Sequence, residues 1–234
     1  WDLEHYPMVE KIFRQSAEFC SEHEVWVLNV AHVFFLQETK FKELSDLHGL
    51  GCYGRMPRRQ ANNIVDTKWV IRWKLVDGVR SIKSRITMRG FKDAAQSLET
   101  FAGTATRWSQ RVINSVAATE DNHTLFSLDV SKAFAKGMTF EELSRLSGQP
   151  LRTVQFELAA ADIPLLKRIP GFEDFDPNRE VLTMFKPIYG LKDAPRAWSK
   201  KLHEVLVKFG LRKSLADDQI YLWHLICKCN HFYF

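Results

Sequence analysis

The stretch TLFSLDVSKAF, residues 124–134, sets a single carboxylate, Asp129, in a run that otherwise alternates like a buried strand. Leu125, Ser127 and Asp129 share one parity and Phe126, Leu128 and Val130 the other, so a strand here carries Asp129 at the end of a partly polar face. An ionised carboxylate on a central strand is costly unless it is paired or bound to metal. Three roles are open to Asp129: capping a turn at the strand end, pairing with a basic residue, or holding a divalent cation at the mouth of a cleft.

The residues upstream suggest what such a strand would join. RWSQRVINSVAAT (107–119) places Val112, Ile113, Val116 and Ala117 on one helical face, and the polar turn EDN follows it. Earlier, KWVIRWKLV (68–76) alternates Trp69, Ile71, Trp73 and Leu75 against Val70, Arg72, Lys74 and Val76. Asp77-Gly78 then leads into VRSIKSRITMRGF (79–91), which together predict a hairpin. One face of that hairpin is apolar and the other carries cations, notably Lys83, Arg85 and Arg89, for which a solvated outer face is the plain reading.

Downstream, Thr139-Phe140-Glu141-Glu142 is a capping box that opens a short helix ending at Gly148, and TVQFEL (153–158) reads as a strand. IPGFEDFDPN (169–178) is punctuation, VLTMFK (181–186) is strand-like, and PIYG (187–190) turns the chain. A helix then starts from Asp193 as N-cap with Pro195 in its first turn. Leu202, Val205, Leu206 and Phe209 line one side of it before Gly210. Near the N-terminus, MVEKIF (8–13) and FKELSDLHGLG (41–51) have helical spacing. VWVLNVAHVFFL (25–36) reads as a buried helix or strand pair and is too short to span a membrane. Strands and helices interleave without a strict βαβ rhythm, so the expected class is α+β.

Composition bounds the rest. The 234 residues are 45% hydrophobic, enough for a packed core. The balance of 33 basic against 28 acidic residues leaves a net charge of +5, which suits a polyanionic partner without requiring one. Cys20, Cys52, Cys227 and Cys229 have irregular spacing, which argues against a secreted disulfide scaffold and for a reducing compartment. CKCNH (227–231) offers zinc-type ligands but lacks a second ligand pair. No signal peptide or membrane span is visible, and the absence of an initiator Met suggests a piece of a longer protein.

Several blocks in order resemble the reverse transcriptases of copia-type LTR retrotransposons: KWVIRWK with SIKSRITMRGFKD, LETFAGTATRWSQRVINSVAA, FSLDVSKAFAKG, IPGFE, PIYGLKDAPRAWSKKL and LRKSLADDQIYLW. The resemblance runs over roughly residues 60–224. It implies fingers and a palm with an antiparallel sheet and packed helices, truncated at the C-terminus. Residues 1–60 would be a poorly matched helical region, 61–226 the fingers and palm with a surface insertion at about 139–163, and 227–234 an unmatched tail. The implied activity is RNA-directed DNA synthesis on an RNA template with a DNA primer and deoxynucleoside triphosphates. Asp129 and the Val130 carbonyl would hold two magnesium ions, with Asp129 the catalytic carboxylate. Phe134 would exclude a 2′-hydroxyl, and Lys83, Arg85 and Arg89 would bind the triphosphate. Tyr189, Gly190, Lys192, Pro195 and Arg196 would contact template and nascent pair. The chain would belong to a pol polyprotein, without a membrane partner, inside the cell in a cytoplasmic virus-like particle or the nucleus.

The sequence departs from that pattern in one decisive place. The family's aromatic-x-Asp-Asp hairpin is absent, and LICKCNHFYF supplies no carboxylate to replace it. Asp217-Asp218 stands in an earlier block and reads as a turn or helix cap. Catalysis is therefore left open. The alternatives are a noncatalytic nucleic-acid-binding remnant of the polymerase domain and a decayed product with a partial core.

Overall fold

A computed structural model describes residues 22–76, 79–95, 98–119, 124–223 and 232–233. The helix expected at 8–13 and the zinc-type ligands at 227–231 lie outside them. The chain divides into two compact units. The first takes residues 1–46, 69–86 and 160–175, and the second takes 47–68, 87–159 and 176–234.

The first unit is organised by helix α1 (Glu22–Gly49). Leu36, Lys40, Glu43 and Leu44 are buried at helical spacing, whereas Phe34 and Phe35 are exposed. Burial of Leu36 and Leu44 contributes roughly 1.5–3 kcal/mol each. The buried cation is satisfied. Lys40 Nζ lies 2.9 Å from Asp162 Oδ1, with both side chains 3% exposed, and over the Trp69 ring at 5.2 Å. Trp69 Nε1 donates to the other carboxylate oxygen at 2.8 Å. Asp162 ends a 3₁₀ turn (Ala160–Asp162) before the short helix α4 (Ile163–Leu166). Leu165, Leu166, Ile169, Phe172 and Phe175 of the same segment are buried. Arg168 pairs with Glu38 at 2.8 Å and lies 4.0 Å from the Phe41 ring centroid.

The predicted hairpin forms from β2 (Ile64–Val76) and β3 (Val79–Met88), which are neighbours in the sheet. Its expected two-sidedness holds on β3: Ser84 and Ile86 are buried, and Lys83 and Arg85 are exposed. On β2 the apolar face is covered only at its base. Trp73 and Leu75 are 42% and 70% exposed, while Trp69 at the base meets Asp162 and Lys40.

In the second unit β1 (Tyr53–Pro57) pairs antiparallel with β5 (Glu180–Met184), from Tyr53↔Met184 to Pro57↔Glu180. Strand β5 pairs antiparallel with β4 (Gln155–Glu157), and β4 runs parallel to the start of β2, with Ile64 opposite Gln155 and Asp66 opposite Glu157. Tyr53, Val65, Phe156, Val181 and Leu182 are buried there, with the Tyr53 and Phe156 rings edge to face at 5.6 Å. The expected antiparallel palm sheet is thus corrected to a mixed one. Parallel neighbours require a long crossover, and the chain between β2 and β4 provides it. A small separate sheet joins β6 (Arg212–Lys213), β7 (Tyr221–Trp223) and β8 (Phe232–Tyr233).

Three helices complete the second unit: α2 (Arg107–Thr119), α3 (Phe140–Ser147) and α5 (Ala194–Lys208). The capping box of α3 forms as read, with Thr139 N donating to Glu142 Oε2 at 2.7 Å and Glu142 N to Thr139 Oγ1 at 3.1 Å. Gly148 ends that helix in the left-handed region. For α5 two expectations change. Ala194 and Ala197 are its buried residues, while Val205 and Phe209 are exposed; and the Asp193 side chain makes no cap hydrogen bond.

The strand expected at 124–130 does not form. Leu125, Phe126 and Leu128 are 58%, 83% and 81% exposed, and the chain turns at Lys132 (φ 54°) into a 3₁₀ helix (Ala133–Lys136). Alternation makes a strand only where a neighbour accepts the backbone ladder, and no described strand pairs with this segment. A reverse-transcriptase palm, for which this strand would be central, is therefore not the architecture.

Candidate functional site

Asp129 and Val130, expected as magnesium ligands, lie on the exposed, irregular segment before Lys132. Among the described residues no group of three or more His, Cys, Asp or Glu is placed to hold a metal ion. Asp217 has a different task from metal binding. It accepts hydrogen bonds from Thr106 N at 2.8 Å and Ser109 Oγ at 2.6 Å at the start of α2, and from Gln219 N at 2.9 Å. Those donors hold its carboxyl down to about 2, the Ser109 hydroxyl contributing most. The turn-or-cap reading of Asp217-Asp218 describes that geometry.

Phe134 and Tyr189 do come together, with ring centroids 5.9 Å apart. Tyr189 is nearly buried, and its carbonyl accepts from Met88 N at 2.8 Å. The turn continues through Gly190 (φ 93°), where a side chain would overlap the Met88 carbonyl; one at Gly90 would overlap the Gly190 carbonyl. Two backbones therefore meet here at a distance that only glycine permits.

The charged residues beside this turn are engaged in ion pairs. Arg152, missed by the sequence reading, bridges the carboxylates of Asp93 and Asp193. Asp93 also accepts from Asn63 Nδ2 at 2.9 Å and Ala95 N at 3.1 Å. Burial pushes the Asp93 carboxyl up, but Asn63, the Ala95 amide and Arg152 outweigh it and hold it below the usual range. Asp193 stands at the N-cap of α5, where its carbonyl accepts from Ala197 N at 2.9 Å, while its carboxylate turns to Arg152. Arg89 pairs with Asp66 at 3.0 Å, joined by Lys92 at 3.2 Å. Arg196 pairs with Glu99 and also donates to its carbonyl at 3.3 Å. Lys192 is exposed and Pro195 sits in the first turn of α5, as read. In the first unit, Lys83 and Arg85 stand exposed on one face of β3. Neither Arg152 nor the Lys40–Asp162 pair leaves a local sequence signal, because their partners are 41 to 122 positions away.

Comparison with known proteins points elsewhere than polymerases. Residues 1–78 match the family model of the intraflagellar transport protein 70 C-terminal domain. Human intraflagellar transport protein 70B is 49% identical over 71 residues, which is 30% of this chain and 10% of that protein. Mouse intraflagellar transport protein 70A2 gives the same identity and coverage, and human intraflagellar transport protein 70A is 48% identical over 71 residues. The chain thus spans about a tenth of the length of these relatives. No solved structure matches.

These matches overturn the resemblance to copia-type reverse transcriptases. The RNA-directed DNA polymerase function, the noncatalytic nucleic-acid-binding remnant, the partnership with RNA template, DNA primer and deoxynucleoside triphosphates, and the pol polyprotein setting are corrected with it. The relatives carry the name of a transport system, and the match covers the poorly matched residues 1–60 together with the first strand of the hairpin.

Proposed function

We propose that this chain takes part in intraflagellar transport through its N-terminal segment, as an assembly component inside the cell. The observation that carries the reading is the 49% identity to human intraflagellar transport protein 70B over 71 residues, together with the family match over 1–78. The segment's local structure suits assembly. Helix α1 buries Leu36, Lys40, Glu43 and Leu44 and leaves Phe34 and Phe35 exposed. Exposed aromatic side chains on an ordered helix are what a protein partner buries. No described helix is long and apolar enough to cross a membrane.

Affinity purification from ciliated cells tests the reading. The tagged chain is expected to co-purify identified intraflagellar transport proteins, and Phe34→Asp/Phe35→Asp to reduce their recovery at least tenfold without unfolding the chain. Equal recovery from a cooperatively folded double variant counts against α1 as the contact. Absence of those proteins from both preparations counts against the function.

A further inference from the structure

Helix α2 buries none of its residues, so the contacts at its N-terminus weigh heavily in its attachment. Two of these run to the Asp217 carboxylate, from Thr106 N and Ser109 Oγ. Just before them, Gly103 lies so close to Gln219 that an added Cβ would stand 2.9 Å from its amide nitrogen. Asp217 and Gln219 belong to the turn between β6 and β7. That turn is closed by Ile220 N donating to the Asp217 carbonyl at 3.0 Å and by Ser214 N donating to the Ile220 carbonyl at 2.8 Å. Whatever holds this turn therefore holds the start of α2.

Tyr221 of β7 is 6% exposed, and its hydroxyl lies 2.9 Å from His203 Nδ1 on α5, with the ring centroids 5.8 Å apart. The charged groups acting on His203 are Lys200 on its own helix, Lys213 on β6, which stands opposite Tyr221 in the ladder, and Asp218 in the turn. Glu204, the next residue of α5, is taken up by Lys201 and Lys208. An imidazolium at this place would meet two cations and one carboxylate. From this geometry we infer that His203 and Tyr221 form a proton-released clasp: protonation of His203 loosens the β6–β7 hairpin from α5, and with it α2 loses the Asp217 carboxylate at its N-terminus. Burial, Lys213 and Lys200 together outweigh Asp218 and hold the imidazole below its ordinary 6.5. Once the hairpin is released, His203 stands in water and takes its proton at the ordinary value. Closure is therefore complete above pH 6.5 and weakens as pH falls below it, because the open form binds the proton more tightly. Opening a β6 of two residues from a β7 of three breaks only a short ladder, which costs less than unfolding the unit.

Amide hydrogen exchange of the full chain at pH 7.5 and pH 5.5, corrected for the intrinsic rate, tests the clasp. Protection across residues 106–119 and 214–223 is expected to fall at least about threefold at the lower pH, while that of β1, β4 and β5 holds. His203→Gln, which carries no titrating ring, should protect those residues equally at both values. Lys200→Gln/Lys213→Gln removes two exposed cations and keeps the ring, so it should narrow the difference, and it decides the matter if His203→Gln does not fold. Unchanged protection in the wild type, the same loss in His203→Gln, an undiminished loss in the lysine pair, or an equal loss across all strands, as in general acid unfolding, would overturn the inference.

Discussion

Asp162 and Lys40 show how much one buried pair can decide. Taking two charges out of water is repaid only when each finds its partner, and here Trp69 satisfies the second carboxylate oxygen. Lys40→Met leaves Asp162 buried without its cation, and the expected loss is about 3–5 kcal/mol in denaturant unfolding. Lys40→Met/Asp162→Asn removes both charges yet keeps an acceptor for Trp69, so it should recover much of that loss. A double variant as unstable as the single one would show that charge pairing is not the cause. Asp217 makes a second residue-scale prediction. Its folded carboxyl titrates at about 2, below the ordinary 3.8, so its contribution is full above the ordinary value and is lost as pH falls toward 2. Asp217→Ala should lower the melting temperature at pH 6 and should narrow the gap from the wild type between pH 4 and pH 2. A constant gap over that range would refute the assignment of the carboxylate as the capping group.

At the scale of elements, the turn through Tyr189 and Gly190 depends on close backbone approach. Gly190→Ala meets both a left-handed φ and the Met88 carbonyl, whereas Gly148→Ala meets only the left-handed φ, with no other atom within 4 Å. The second change should cost about 1–2 kcal/mol and the first clearly more. Equal costs would mean that the Gly190 contact relaxes away. What the sequence reveals at this scale depends on range. The capping box of α3 and the β2–β3 hairpin are specified by residues two to four apart or by one turn, and both form as read. The run at 124–130 has the same quality of alternation but no partner strand among the described residues, a fact located elsewhere in the chain. Asp193 has the chemistry of a cap, yet Arg152, 41 residues away, takes its carboxylate. Strand propensity and capping preference are local; which partner wins them is not.

For the molecule as a whole, the candidate site was the least legible part. Motif blocks between 60 and 224 invite a polymerase reading because short polar and glycine-rich signatures are easy to match one at a time. The likeness to intraflagellar transport protein 70 lies over residues 1–78. Generic apolar helical spacing, such as that of VWVLNVAHVFFL, conceals such a likeness from motif reading. Within the first unit that segment is tied to residues 160–175, since Lys40 and Trp69 share Asp162. Deleting residues 1–78 is therefore a poor test of function, because the remainder of the first unit would lose its partners. Intact chain in living cells is the better subject. Time-lapse imaging of the fluorescently tagged chain in ciliated cells is the most direct measurement. The account predicts that it enters the cilium and moves along it together with labelled intraflagellar transport proteins, and exclusion of the folded chain from the cilium would contradict it.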